Sequence, residues 1–217
     1  MAHVAEPDRT TTALLVVDLQ HDFLPGGALG VAGADELLAP IAGLMRERAF
    51  GVCVATQDWH PPGHVSFASA HPGRRPLDVI TLYDREQTLW PDHCVQDSPG
   101  AALHPDLPWR LAAAIVRKGM DPACDSYSAL RNNWQADGRR PPTGLGGYLR
   151  ELGVRDVYIC GLTREFCGLW TAEDAAAAGF AVHVLWDLMR PVDPRSDDEV
   201  RTRLARAGAT VVTGSGL

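Results

Sequence analysis

The sequence lacks three features that would assign it to a specialised class of protein. No apolar run approaches membrane-spanning length, and the amino end has no charged-then-apolar signal pattern. Its five cysteines are odd in number and lack paired spacing, which argues against a disulfide framework or a zinc ribbon. Basic residues number only 20 against 27 acidic ones, so neither nucleic acid nor an anionic membrane is expected as a partner. We therefore expect a cytoplasmic protein in a reducing compartment.

The chain instead alternates short apolar strands with amphipathic helices. Strands are predicted over 13–17, 51–56, 111–116, 157–160, 181–185 and 209–212, and helices over 35–48, 146–153, 197–207 and onward from 167. This alternation predicts an α/β fold with a doubly wound, mostly parallel six-stranded sheet and helices on both faces. The 217 residues are expected to form a single domain over 1–217, with 1–12 as a flexible tail. The stretches 71–92 and 121–142 are predicted to be irregular.

Three chemically capable side chains follow predicted strands. Asp18 and Lys118 lie just past the ends of two of them, and Cys167 lies between a predicted strand and the start of a predicted helix. The carboxyl ends of parallel strands form one edge of the sheet, where such folds place their sites. A thiol at a helix amino end is predicted to have a lowered pKa. Each residue also has an ordinary interpretation, as a turn cap, a solvated charge and a small core residue.

A second group of residues indicates a metal site. Asp58 and His60 are one residue apart, so in an extended segment their side chains share a side and supply half of a divalent-metal site. His93 is a candidate third ligand, and Trp90 is a candidate flat wall for a ring. A lone D-x-H is a weak signal, and a single histidine is more commonly a surface residue.

Five motifs, in order along the chain, carry a family resemblance. They are V-V-D-L-Q-H-D-F, T-Q-D-W-H, L-W-P-D-H-C-V-Q-D-S-P-G, V-R-K-G-M-D-P and C-G-L-T-R-E-F-C. Together they resemble the nicotinamidase branch of the isochorismatase-like cysteine hydrolase superfamily, from about Leu14 to the carboxyl end. The resemblance implies hydrolysis of nicotinamide, and of pyrazinamide, to the acid and ammonia. The physiological context would be NAD salvage or catabolism of another pyridine.

The resemblance also implies roles for individual residues. Cys167, Asp18 and Lys118 would form a catalytic triad that proceeds through a thioester. The backbone N–H groups of Thr163 and Cys167 would form an oxyanion hole, with a cis peptide bond before Thr163. A homo-oligomer acting on a small-molecule substrate is expected.

A divalent metal ion is implied as cofactor, with zinc the first choice and manganese or iron as alternatives. Asp58, His60 and His93 would hold it, and it would orient the pyridine ring. Phe23 and Trp90 match the positions that sandwich the ring. His64 would be either a fourth ligand or a partner that supports the ligands.

The chain departs from the family pattern around Cys167. Thr163 adds a hydroxyl near the oxyanion hole, and Arg164 and Glu165 replace smaller residues. Gly168-Leu169-Trp170 also differs. We expect Arg164 and Glu165 to pair with neighbours or reach solvent, because an unpaired buried charge is costly. These departures keep open a related cysteine amidase of maleamate or N-carbamoylsarcosine type, although such an enzyme would have no need for the metal set.

Overall fold

The computed structural model describes residues 10–47 and 49–214, and a six-stranded parallel sheet forms its centre. The strands are β1 (Thr12–Val17), β2 (Val52–Asp58), β3 (Val79–Leu82), β4 (Arg85–Thr88), β5 (Ala114–Lys118), β6 (Asp156–Leu162), β7 (Ala181–Arg190) and β8 (Thr210–Val212). Six of them pair in the order β5-β2-β1-β6-β7-β8, and every pair is parallel. The predicted fold class is confirmed.

Apolar side chains cover both faces of this sheet. The helices are α1 (Leu38–Glu47), α2 (Leu145–Glu151), α3 (Leu169–Ala177) and α4 (Asp197–Ala207). Along β1, Leu15 and Val17 join the apolar cluster that contains residues of α2, α3 and α4, while Leu14 and Val16 join the cluster that contains α1. Successive strand residues point to opposite faces, so a strand covered on both sides must be apolar throughout. This explains the uninterrupted A-L-L-V-V run.

Three elements differ most from the predictions. The strand predicted over 181–185 continues to Arg190 as β7. The stretch 71–92 lies outside the main sheet as expected, but it contains the β3–β4 hairpin. Each of its strands has only four residues, V-I-T-L in β3 and R-E-Q-T in β4, and neither shows the regular apolar alternation that reveals a strand. The strand predicted over 111–116 actually runs from Ala114 to Lys118. It is an edge strand that, among the described residues, pairs only with β2, and Ile115 and Arg117 face solvent.

The predicted tail over 1–12 lies mostly outside the described residues, and Thr12 already belongs to β1. Within the described ranges, no helix combines the length and apolar character of a membrane span.

The four neighbouring strands β5, β2, β1 and β6 position the candidate residues. Lys118 ends β5, Asp58 ends β2, Asp18 follows β1, and Thr163 follows β6. Because these strands are adjacent and parallel, their carboxyl ends meet at one edge of the sheet.

Candidate active site

Asp18, Lys118 and Cys167 come together at this edge, as the sequence predicts. Lys118 Nζ lies 2.8 Å from Asp18 Oδ2 and 3.4 Å from Cys167 Sγ. All three residues are buried. A carboxylate, an ammonium group and a thiol are therefore within direct reach of one another.

Thr56 fixes the carboxylate of Asp18. Asp18 adopts a left-handed backbone conformation, with φ of 49°, which aspartate tolerates better than most residues. Its backbone N–H donates to Thr56 Oγ1 at 3.1 Å, and the Thr56 hydroxyl donates to Asp18 Oδ1 at 2.6 Å. Sequence reasoning missed Thr56, because a threonine within a buried strand carries no separate signal.

Cys167 does not open a regular α-helix, and this corrects the prediction. It lies in a π-helical turn, Arg164–Gly168, that precedes α3. Such turns are rare in proteins, but those that occur are often found at functional sites. The peptide bond between Leu162 and Thr163, just before the turn, is cis, as the resemblance implies.

The expectation of a lowered thiol pKa is wrong for Cys167. Burial raises its pKa well above the ordinary thiol value, and the Lys118 ammonium opposes this only in part. The negative charges of Asp18 and Asp58, together with a hydrogen bond to Asp18, raise the pKa further. The resting side chain is therefore a thiol. Burial also raises the pKa of Asp18, the carboxylate that contacts this thiol, so that this carboxylate takes up a proton more readily than an exposed aspartate does.

Lys118 is the only lysine in the sequence and has four partners. Besides Asp18 and Cys167, it donates to Asp58 Oδ1 at 3.0 Å and to the Ser126 carbonyl at 3.2 Å. Burial by itself would lower the pKa of Lys118, but the Asp18 and Asp58 carboxylates hold it well above its ordinary value. The ammonium charge is thus a permanent part of the site.

Asp58, His60 and His93 form a buried group whose ligand atoms all lie within 4.8 Å of one another. Asp58 Oδ2 is 3.1 Å from His60 Nε2 and 3.4 Å from His93 Nε2. His60 Nδ1 lies 3.0 Å from the Gly119 carbonyl oxygen, and His93 Nδ1 lies 2.8 Å from the Pro91 carbonyl oxygen. A carbonyl only accepts, so each Nδ1 carries a hydrogen, and in the neutral ring that binds metals each Nε2 directs a lone pair towards the Asp58 carboxylate. Two lone pairs and an anion facing one another fit a divalent cation such as zinc.

Gly119 and Gln20 shape this group. Gly119 has φ of 69°, and a Cβ atom there would lie 2.4 Å from His60 Cε1, so only glycine is compatible with the ring. The Gln20 side chain donates to the Asp58 carbonyl and accepts from the Asp58 N–H, each at 2.7 Å. Sequence reasoning did not single out either residue. Gly119 acts by leaving room for the His60 ring, and Gln20 acts by hydrogen-bonding the backbone of Asp58, and neither effect has a sequence signal.

His64 packs against His60, with ring centroids 4.3 Å apart. Its Nδ1 lies 2.8 Å from Ser66 Oγ and its Nε2 lies 3.0 Å from the Asp121 carbonyl oxygen. Both ring nitrogens of His64 thus contact groups other than Asp58. His64 therefore supports His60 by packing against its ring.

A cavity of about 310 Å³, including its open mouth, leads to Cys167 and to the Asp58–His60–His93 group. Aromatic rings form much of its wall. Trp90 and Phe166 are perpendicular, with centroids 4.7 Å apart, and Phe23 lies edge-on to His93 at 5.5 Å. Phe23 and Trp90 were predicted here; the remaining apolar and aromatic lining residues, which were not, are Leu29, Tyr127, Phe166 and Val192.

Arg164 and Glu165 point away from the cavity, and each pairs with a neighbour as expected, although Glu165 Oε2 is buried without a hydrogen-bond partner among the described residues. Arg164 Nη1 lies 2.7 Å from Asp197 Oδ1, and its guanidinium stacks 4.0 Å from the Trp186 ring centroid. Glu165 Oε1 accepts the Asp193 N–H at 2.8 Å.

The isochorismatase domain model matches residues 12–215 of the chain. The chain belongs to the isochorismatase family. Among related isochorismatase-family proteins, a nicotinamidase of Acinetobacter baylyi is 48% identical over 181 residues, covering 83% of this chain and 82% of that protein. A solved nicotinamidase/pyrazinamidase structure from Acinetobacter baumanii has a TM-score of 0.90 at 40% identity, covering 96% and 99% of the two chains. A pyrazinamidase of Pyrococcus horikoshii, solved in complex with zinc, has a TM-score of 0.73 at 34% identity, covering 93% and 98%.

Proposed function

We propose that this protein is a nicotinamidase, which hydrolyses nicotinamide, and pyrazinamide, to the corresponding acid and ammonia. The observation that carries the proposal is the position of Lys118 Nζ, 2.8 Å from Asp18 Oδ2 and 3.4 Å from Cys167 Sγ, together with the cavity that Cys167 lines along with His60 and His93. Relatives named nicotinamidase, at 48% and 41% identity over most of the chain, support the choice of substrate.

The first half-reaction transfers the acyl group to Cys167. Asp18 takes the thiol proton, and Sγ attacks the amide carbon to give a tetrahedral oxyanion. The backbone N–H groups of Thr163 and Cys167 would stabilise this oxyanion by about 3 kcal/mol. Asp18 then passes the proton to the leaving nitrogen, so that the C–N bond breaks and ammonia leaves, with a thioester remaining.

The second half-reaction regenerates the thiol. A water molecule attacks the thioester carbon while Asp18 accepts one of its protons. The C–S bond breaks, the acid is released, and the proton held by Asp18 returns to Cys167. Lys118, charged throughout, stabilises the carboxylate and thiolate forms that alternate beside it.

Asp58, His60 and His93 would hold the divalent ion, and the zinc complex of the Pyrococcus horikoshii pyrazinamidase favours zinc. When bound, the ion supplies an electrophilic contact for the pyridine nitrogen and so orients the ring. Phe23 and Trp90 would bind the ring faces. His64 would support His60 from behind rather than ligate.

Two further proposals concern organisation. The family match over residues 12–215 supports a single domain for the whole chain. We also propose a homo-oligomer, which light scattering on the purified protein would test.

The test of function is ammonia release from nicotinamide by the zinc-loaded protein. Benzamide, which has the same shape but lacks the ring nitrogen, and maleamate serve as matched comparison substrates. Rapid release from nicotinamide, with benzamide slower by more than tenfold, is expected. Release from maleamate with none from nicotinamide would overturn the proposal.

A further inference from the structure

The β3–β4 hairpin sends one side chain into the molecule. Gln87 is 5% exposed, whereas the other residues of β3 and β4 are exposed or half-buried. Burying a polar amide is costly unless it is hydrogen-bonded. The contacts of Gln87 therefore indicate why the hairpin is anchored at this point.

The Gln87 amide reaches two residues that line the cavity. Its Nε2 donates to Asp125 Oδ2 at 2.9 Å and to Tyr127 Oη at 3.1 Å, and also contacts the Thr88 carbonyl oxygen at 2.8 Å. A carboxylate and a carbonyl can only accept, so the donor end of the amide must face them. The orientation of Gln87 is thereby determined by its partners.

Tyr127 links Gln87 to Trp90, which forms part of the cavity wall. Its hydroxyl oxygen accepts from Gln87 on one side and from Trp90 Nε1, at 3.2 Å, on the other. Trp90 and Tyr127 both pack edge-on against Phe166, with centroids 4.7 Å and 5.4 Å away. The indole that forms one wall of the cavity is thus oriented by packing against Phe166 and by the hydrogen bond from its Nε1 to the Tyr127 hydroxyl oxygen.

Asp125 begins a second hydrogen-bond path, which leads to Lys118. Its Oδ1 accepts the Ser126 N–H at 2.8 Å, and the Ser126 carbonyl accepts from Lys118 Nζ at 3.2 Å. Gln87 neither lines the cavity nor hydrogen-bonds to Asp18, Lys118 or Cys167, so any effect it has must pass through these neighbours.

We propose that Gln87 is a positioning residue that sets the orientation of Trp90, through Tyr127, for binding of the pyridine ring. This rests on the proposed nicotinamidase function. A ring wall that is free to tilt binds the flat substrate less well but leaves the thiol chemistry intact. Loss of Gln87 therefore raises KM and largely spares kcat.

The test compares Gln87→Leu, which keeps the volume and removes the amide, with Glu86→Ala on the same strand. Glu86 is exposed and serves as the control. For nicotinamide, Gln87→Leu is expected to raise KM at least tenfold with kcat within about twofold of the wild type, and Glu86→Ala is expected to change neither. Tyr127→Phe and the double variant complete a cycle, in which the second substitution should add little to the first.

Equal KM values in Gln87→Leu and the wild type, or additive effects in the cycle, would overturn the inference. If Gln87→Leu fails to fold, Gln87→Asn retains an amide and tests the same link; loss of the cooperative thermal transition in both would show a purely structural role. An inactive wild type would instead refute the proposed function, so the two failures are distinguishable.

Discussion

Asp58 and Lys118 form a buried ion pair, with Oδ1 and Nζ 3.0 Å apart. The other oxygen of the same carboxylate faces His60 and His93. One side chain thus joins the proposed triad to the proposed metal group. Substitutions in either group are therefore expected to be coupled rather than additive, since residues that share a partner influence one another.

Cys167→Ala should abolish turnover and leave nicotinamide binding intact, because only the thiol forms the covalent bond. Cys53→Ala is the control, as Cys53 lies away from the cavity and burial raises its pKa to about 12. Steady-state kinetics and equilibrium binding check both variants. Appreciable amidase activity in Cys167→Ala would refute the assignment of the nucleophile.

Asp18→Asn should slow turnover by about 10²- to 10⁴-fold, because an amide cannot accept and return the proton. The side-chain volume is nearly unchanged, so nicotinamide affinity should change little. Single-turnover acylation measures the affected step directly. An acylation rate near the wild-type value would remove Asp18 from the role of proton carrier.

Lys118→Ala should shift the alkylation of Cys167 to higher pH. The ammonium lowers the pKa of this thiol against the effect of burial, so its removal raises the pKa further and less thiolate exists at a given pH. The rate of iodoacetamide reaction, followed from pH 6 to 11, reports the midpoint. A profile identical to the wild type would mean that Lys118 does not tune the thiol.

His60→Ala and His93→Ala should lower the zinc content and weaken nicotinamide binding more than they impair alkylation of Cys167. The ion is assigned a positioning role, so thiol chemistry persists without it. Elemental analysis, ligand titration and iodoacetamide kinetics separate the three effects. Equally tight nicotinamide binding by metal-free and zinc-loaded protein would contradict this assignment.

Arg164→Thr combined with Glu165→Asp should keep nicotinamide turnover within about tenfold, because neither side chain lines the cavity. The protein should be less stable, since Arg164 loses its contacts with Asp197 and with two backbone carbonyls. Activity and thermal unfolding are measured on the same sample. A large gain in nicotinamide turnover, matched by loss of activity on an acidic amide, would indicate a different native substrate.

The chemically capable residues could be predicted from the sequence, but their electrostatic state could not. Asp18 and Cys167 follow strands and Lys118 ends one, and the alternation of elements is enough to place them at one edge. The direction of the Cys167 pKa shift depends on burial from all sides, which no local pattern records. The π-helical turn is equally invisible, because its residues resemble those of an ordinary helix start.

The residues that position the site side chains through hydrogen bonds could not be predicted for a second reason. Thr56 and Gln87 are polar residues in otherwise unremarkable strands, and their partners lie 38 to 40 residues away. Only the fold brings them to Asp18 and Tyr127. Residues that act through such long-range hydrogen bonds have no sequence motif of their own.

The burial of Lys118 has a consequence for the whole molecule. It is the only lysine in the sequence and is 1% exposed, so the folded chain offers amine-reactive esters no ε-amino group. Unfolding uncovers a single one. Covalent labelling of the Lys118 amine therefore reports how often the folded site opens to solvent.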